Sequence, residues 1–332
     1  MKKAIFDILS EAIRRETKAF NYYAKARKSA SSPETESLLI QLAEEERKHR
    51  YFLRREIQRI EKLLGDGADG AFNGRQEIHY SVPEELPFQR LPSIPDIDLA
   101  AVSLPTELLG GDNFDTILLG GTDGRSGLGL FLFDVMGHGM DSMRLKASTK
   151  EVFGKFREDW GRGKSEVNFN HPSDVIDRFN RTMVEQCQST HLFITAFYGV
   201  LNPPERTLTY SSAGHEPPVL IRATGKFFSI EETDLLVGAD EHVDYSDYTV
   251  PLYPGDVIVL FSDGLTEAGS IDEALFEKHS VCRAVRRSRE KSSRSIVEAI
   301  FEDLKVFLKG IPLTDDCTVA VMKLVEPDGK KS

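Results

Sequence analysis

Four aspartates constrain how this chain can fold, because each stands where an apolar, β-rich run breaks into glycine or acid. They are Asp112 in GGDNFD, Asp134 in FDVMGHG, Asp263 in FSDGLTEA and Asp315 in TDDCTVAV, spread over about 200 residues. The runs Gly129 to Phe133, Val257 to Phe261 and Thr318 to Met322 read as strands. Glycine beside a strand end lets the backbone turn sharply. A fold built this way is sheet-based and gathers carboxylates at strand ends, which supplies hard oxygen ligands for Mg2+ or Mn2+. One Ser-Asp-Gly is ordinarily a turn, but four such phrases in order point to a site.

The order and wording of the phrases resemble the metal-dependent protein phosphatases (PPM family), in their SpoIIE/RsbU-like bacterial branch. The likeness covers roughly residues 96–325 and includes FITAFYGVLNPPERTLTYSSAGHEPPVLI (193–221) and PLYPGDVIVLFSDGLTEA. It implies an α+β fold with an α-β-β-α sandwich over 96–326, in which helices near 141–156 and 292–308 pack on the sheets. It also implies hydrolysis of phosphoserine or phosphothreonine by two-metal activation of water. By the same resemblance Asp134 bridges two Mn2+ or Mg2+ ions, Asp263 and Asp315 hold one of them, and Asp112 with the backbone carbonyl of Val135 serves the other.

Several neighbours carry weaker roles in that resemblance. Gly111 admits close backbone approach, and His138 is a candidate general acid. Asp115 is read either as orienting ligands from behind or as an ordinary turn cap. His215 in SAGHEPP reads as holding a turn, and Asp316 as a neighbour of the ligands. Arg125, Arg144 and Lys146 are near the motifs in sequence, which alone assigns them nothing. The implied substrate is a phosphorylated regulatory protein, an anti-sigma-factor antagonist of STAS type.

Residues 1–64 have a different texture, with a single proline and apolar residues at helical spacing. Ile5, Leu9, Ala12, Phe20 and Tyr23 mark one helix. Ser32 and Pro33 start a second, whose apolar side carries Leu39, Leu42, Leu53, Ile57 and Leu64. Glu16, Glu46 and His49 interrupt these faces, and ionisable groups there need partners or a metal. Glu on one helix with Glu-x-x-His on the next is half of a carboxylate-bridged di-iron ligand set. The segment resembles the ferritin-like, rubrerythrin-type helical pair, and by that resemblance Glu16, Glu46 and His49 bind iron when two chains form a four-helix bundle. The competing reading is a structural, dimerising hairpin with these side chains in water.

The Gly- and Pro-rich stretch 65–95 reads as a linker and 327–332 as a tail. A net charge of −11 argues against nucleic acid as a partner. No apolar run is long enough to span a bilayer and the charged start is no signal peptide, so a cytoplasmic protein is expected, and the helical hairpin makes a homodimer the expected assembly. Three cysteines without CxxC spacing indicate neither a disulfide framework nor a zinc site. Two other functions compete: a catalytically silent PPM-like scaffold, and a di-iron oxidase or peroxidase-type module with a domain attached. The presence of all four acids counts against the first, and the half-complete iron ligand set counts against the second.

Overall fold

A computed structural model of the chain describes residues 81–106, 110–120, 127–136, 140–270 and 274–325, together with Thr17 and Lys25. The chain divides into two units, Met1–Ile78 and His79–Ser332, and the elements below belong to the second. Glu16, Glu46 and His49, and with them the hairpin, its iron and its dimerisation, lie outside the described residues, as does His138.

The described strands form two antiparallel sheets. One has the order β1 (Ile97–Leu104), β10 (Cys317–Leu324), β9 (Val257–Phe261), β6 (Val219–Ile221), β7 (Phe227–Ser229). The other runs β2 (Asn113–Leu118), β3 (Leu128–Val135), β4 (Ile194–Asn202), β5 (Thr207–Ala213), β8 (Tyr248–Pro251). Helices α1 (Met140–Gly161) and α2 (Pro172–Thr190) follow β3, a one-turn helix α3 (Asp263–Thr266) follows β9, and α4 (Glu277–Ser288) and α5 (Ser293–Leu308) precede β10.

Period-two alternation in the strands decides the layering. In β3, Leu128, Leu130 and Leu132 turn inward and meet Phe197, Leu208, Leu260, Ala320 and Met322 between the sheets. Phe131, Phe133 and Val135, the alternate residues, pack under α1 and α2 with Phe153, Phe179 and Met183. Phe131 stacks on Phe153 at 4.2 Å between ring centroids and meets Phe179 edge-on at 5.4 Å. On the far side Val259, Phe261, Val319 and Val321 lie against Val285, Ile296, Ile300 and Leu304 of α4 and α5. Both faces of the central strands are therefore apolar, which explains their unbroken hydrophobic runs. The result is the α-β-β-α sandwich, each fully buried large side chain contributing about 1.5–3 kcal/mol of transfer free energy.

Helix starts follow their local chemistry. Pro172 occupies the first turn of α2, where its missing N–H costs nothing. Ser292 caps α5 by accepting from the Ser295 N–H. Within the 65–95 stretch, Val82 and Ile94 are buried against the domain and the Gln89 N–H donates to the Ala101 carbonyl at 2.9 Å. No helix among the described residues is long and apolar enough to cross a membrane.

Candidate active site

Sheet order brings the acidic phrases to one end of the sandwich. β10 lies between β1 and β9, with Leu104 opposite Cys317 and Phe261 opposite Val319. The end of β1, the end of β9 and the start of β10 therefore coincide. That places the Gly110–Asp112 connection, Ser262 and Asp263, and Asp315 and Asp316 side by side. β3 of the other sheet ends there too. A Cβ built on Gly111 would stand 2.6 Å from Asp134 Oδ1 and 3.2 Å from the Val135 carbonyl oxygen.

Asp316 organises this end. Its Oδ1 accepts from the Thr106 N–H at 2.6 Å and the Thr106 hydroxyl at 3.0 Å. Its Oδ2 accepts from the Gly111 N–H and, at 3.4 Å, from the Asp112 N–H. Four donors converge on one buried carboxylate and fix the β1–β2 connection that carries Asp112. The Ser262 hydroxyl, held by the Thr318 N–H at 3.0 Å, donates to Asp112 Oδ2 at 2.6 Å. Gly264 lies so close that a Cβ there would be 2.0 Å from the Asp316 carbonyl oxygen, so only glycine fits against the 315–316 backbone.

The electrostatics are those of anions deprived of water. Burial, then Asp316 and Asp263, push the Asp112 carboxyl well above its usual range, with the Ser262 hydroxyl opposing. Asp134 keeps a strip of accessible surface but is enclosed by protein on most sides. Its carboxyl is likewise raised by desolvation, then by Asp112, Asp315 and Asp316, with Lys146 opposing. Such a group stays ionised only beside a cation.

Hard oxygen donors, a backbone carbonyl and a glycine cradle suit a divalent cation. Among the described residues no three His, Cys, Asp or Glu side chains converge closely enough to clasp a single ion. Carbonyl and water oxygens would complete the shell of an ion held here.

The remaining site expectations fall nearby. Asp115 lies in β2, where Arg157 of α1 donates to both its oxygens at 2.9 and 2.8 Å. This pair ties sheet to helix. His215 is 4% exposed, and its Nδ1 is 2.9 Å from the hydroxyl of Thr195, which is paired with Asp134 across the sheet. Its Nε2 finds no hydrogen-bond partner, and the nearby Phe261 backbone opposes the effect of burial on the ring. Burial lowers its pKa to about 4, so the ring is neutral at pH 7. Lys146 and Lys150 of α1 also face this end, and Lys150 Nζ donates to the Gly110 carbonyl at 3.3 Å. Their i, i+4 spacing on a helix leading out of the Asp134 phrase was the signal that sequence reasoning left unused.

All three cysteines are buried. Desolvation raises each thiol, Cys187 to about 12. None is a thiolate nucleophile at neutral pH.

The sequence profile of the Stage II sporulation protein E (SpoIIE) family matches residues 124–325, and that of rubrerythrin matches residues 7–69. The phosphoserine phosphatase RsbU of Bacillus subtilis (strain 168) is 28% identical over 248 residues, covering 74% of this chain and 69% of its own. The RsbU and RsbW domains of Rv1364c from Mycobacterium tuberculosis superpose with a TM-score of 0.56 at 23% identity, over 72% of this chain and 62% of theirs. This chain thus spans less than two thirds of that protein. The SiaA-PP2C domain of Pseudomonas aeruginosa also gives 0.56 at 18% identity, over 68% of this chain and 85% of its own. The two superpositions share the fold.

Proposed function

Because the chain belongs to the SpoIIE family of PP2C-type serine/threonine protein phosphatases, we propose that its acidic end is a two-metal centre hydrolysing phosphoserine or phosphothreonine on a regulatory protein. The observation that carries this reading is the meeting of Asp112, Asp134, Asp315 and Asp316 at the end of the sandwich, where burial and mutual repulsion leave the first two in need of cations. Asp263 and Asp315 would hold one ion, Asp112 with the Val135 carbonyl would serve the other, and Asp134 would be shared between them. Mn2+ or Mg2+ held there would supply an activated water and charge to neutralise the phosphoryl oxygens.

The chain's own residues do the positioning. Ser262 turns Asp112 into the centre, Asp316 fixes the loop behind it, and Gly111 leaves room for the Asp134 carboxylate. Water oxygen bonds to phosphorus as the bond to the serine oxygen breaks, and that oxygen leaves with a proton. No covalent intermediate is required, in keeping with three buried, protonated thiols. The test is Mn2+-dependent phosphate release from a phosphoserine peptide and from p-nitrophenyl phosphate. Asp134→Asn and Asp263→Asn should each abolish it; activity retained in both removes the proposal.

RsbU of Bacillus subtilis is a phosphoserine phosphatase by name, and the Mycobacterium tuberculosis protein joins RsbU and RsbW domains in one chain. On that basis the substrate is a serine-phosphorylated STAS-type antagonist, and Asp134→Asn should retain the phosphorylated form in pull-downs. A phosphorylated small molecule as sole substrate would contradict this. The rubrerythrin match over residues 7–69 supports regulation through iron at Glu16, Glu46 and His49, completed by a second chain. Iron far below one ion per dimer after reconstitution would leave the hairpin a structural role.

A further inference from the structure

One cation is already built into the acidic end. Lys146 is 4% exposed, unusual for a side chain that ordinarily keeps its ammonium in water. A Cβ on Gly111 would stand 3.1 Å from Lys146 Cε, 2.6 Å from Asp134 Oδ1 and 3.2 Å from the Val135 carbonyl oxygen. The end of the lysine, the bridging carboxylate and the carbonyl thus crowd one small volume. Lys150, one turn further along α1, is half-buried and holds the Gly110 carbonyl at 3.3 Å. It braces the loop, whereas the Lys146 stem ends beside Gly111, the same glycine that Asp134 Oδ1 approaches.

We propose that the Lys146 ammonium is a resident counter-ion of Asp134 that competes with a divalent cation for that carboxylate, so that metal loading requires the lysine to yield. A fixed positive charge among metal ligands neutralises the carboxylates in the metal-free protein and repels an incoming ion. It stabilises the empty centre and weakens metal affinity together. Burial argues against a substrate-gripping role, since 4% exposure leaves no reach into solvent. The inference rests on the reading of the acids as a metal centre.

Mn2+ titration by calorimetry, with free Mn2+ followed by electron paramagnetic resonance, tests it without reference to turnover. Lys146→Met is expected to lower the apparent Mn2+ Kd at least tenfold, and Lys146→Arg, which keeps the charge, to stay within about threefold of the parent protein. Metal-free Lys146→Met should also melt lower than the parent and gain more from added Mn2+. If the methionine variant does not fold without metal, Lys146→Gln is titrated instead and must shift the same way. Binding by the neutral variants no tighter than in the parent overturns the proposal. Asp134→Asn in the same assay separates the two levels: if it binds Mn2+ like the parent, the metal-centre reading itself falls.

Discussion

Gly111→Ala adds one methyl group where the site is tightest. Gly111 has no positive φ, so alanine meets no backbone penalty and the effect is steric. Its Cβ would lie 2.6 Å from Asp134 Oδ1, against a floor near 3.0 Å for real Cβ contacts, with Lys146 Cε at 3.1 Å and the Val135 carbonyl oxygen at 3.2 Å. The carboxylate must retreat by at least about 0.4 Å while the other two neighbours already press on the methyl. Overpacking of this kind costs about 1–3 kcal/mol of stability. Catalysis suffers more, since a 1 Å misplacement of reacting groups costs about 10²-fold. The expected outcome is a fall in kcat/KM of roughly 10- to 100-fold and about tenfold weaker Mn2+ binding, on a protein that still melts cooperatively. Assays are Mn2+ calorimetry, p-nitrophenyl phosphate turnover and thermal melting on one preparation. Parental metal affinity and turnover in Gly111→Ala would refute the placement of Asp134 beside this glycine.

Asp316→Asn replaces a pure acceptor by a group with one amide nitrogen. Either orientation then aims N–H at a donor, Thr106 on one side or Gly111 on the other, so denaturant titration should show a loss of about 2–3 kcal/mol together with weaker Mn2+ binding. His215 has a folded pKa near 4 against an ordinary 6.5; its neutral form is favoured by the fold, and that stability is full above pH 6.5 and lost as pH falls toward 4. The whole difference is about 3 kcal/mol, of which about 2 is gone at pH 5. Urea midpoints at pH 7 and pH 5 should therefore differ less in His215→Gln than in the parent. Gly154 sits inside α1 with nothing within 4 Å of an added Cβ, so Gly154→Ala should raise stability by about 0.5–1 kcal/mol without touching activity.

Legibility in the sequence followed how local each signal was. The runs before Asp134 and Asp263 and after Asp315 were readable as strands because alternating positions face two separate apolar layers, and both must be hydrophobic. Helix α5 was expected from the family resemblance alone, and Ser292 with the spacing of Ile296, Ile300 and Leu304 agrees with it. Helix α2 was not anticipated, although Pro172 at its start and Val175, Phe179, Met183 and Cys187 at helical spacing announce it. What stayed hidden depended on long-range meeting. Asp316 gained its role from Thr106 and Gly111, more than 200 residues away. Lys146 is only near the motifs in sequence; the packing of α1 is what brings its Cε to the same glycine as Asp134 Oδ1. Asp115, read as an orienting group or a turn cap, stands in a strand and holds Arg157, a pairing that depends on where α1 crosses the sheet.

The position of β10 has a consequence for the life of the chain. It is the last strand described, yet it sits between β1 and β9, and the acids just before it hold the loop that presents Asp112. The acidic end is complete only when residues through 324 lie between β1 and β9, strands that precede them by 56 residues or more. Such distant pairing is slow compared with local helix formation. A chain cut before β10 therefore lacks the strand whose pairing with β1 and β9 brings Asp315 and Asp316 beside Asp112.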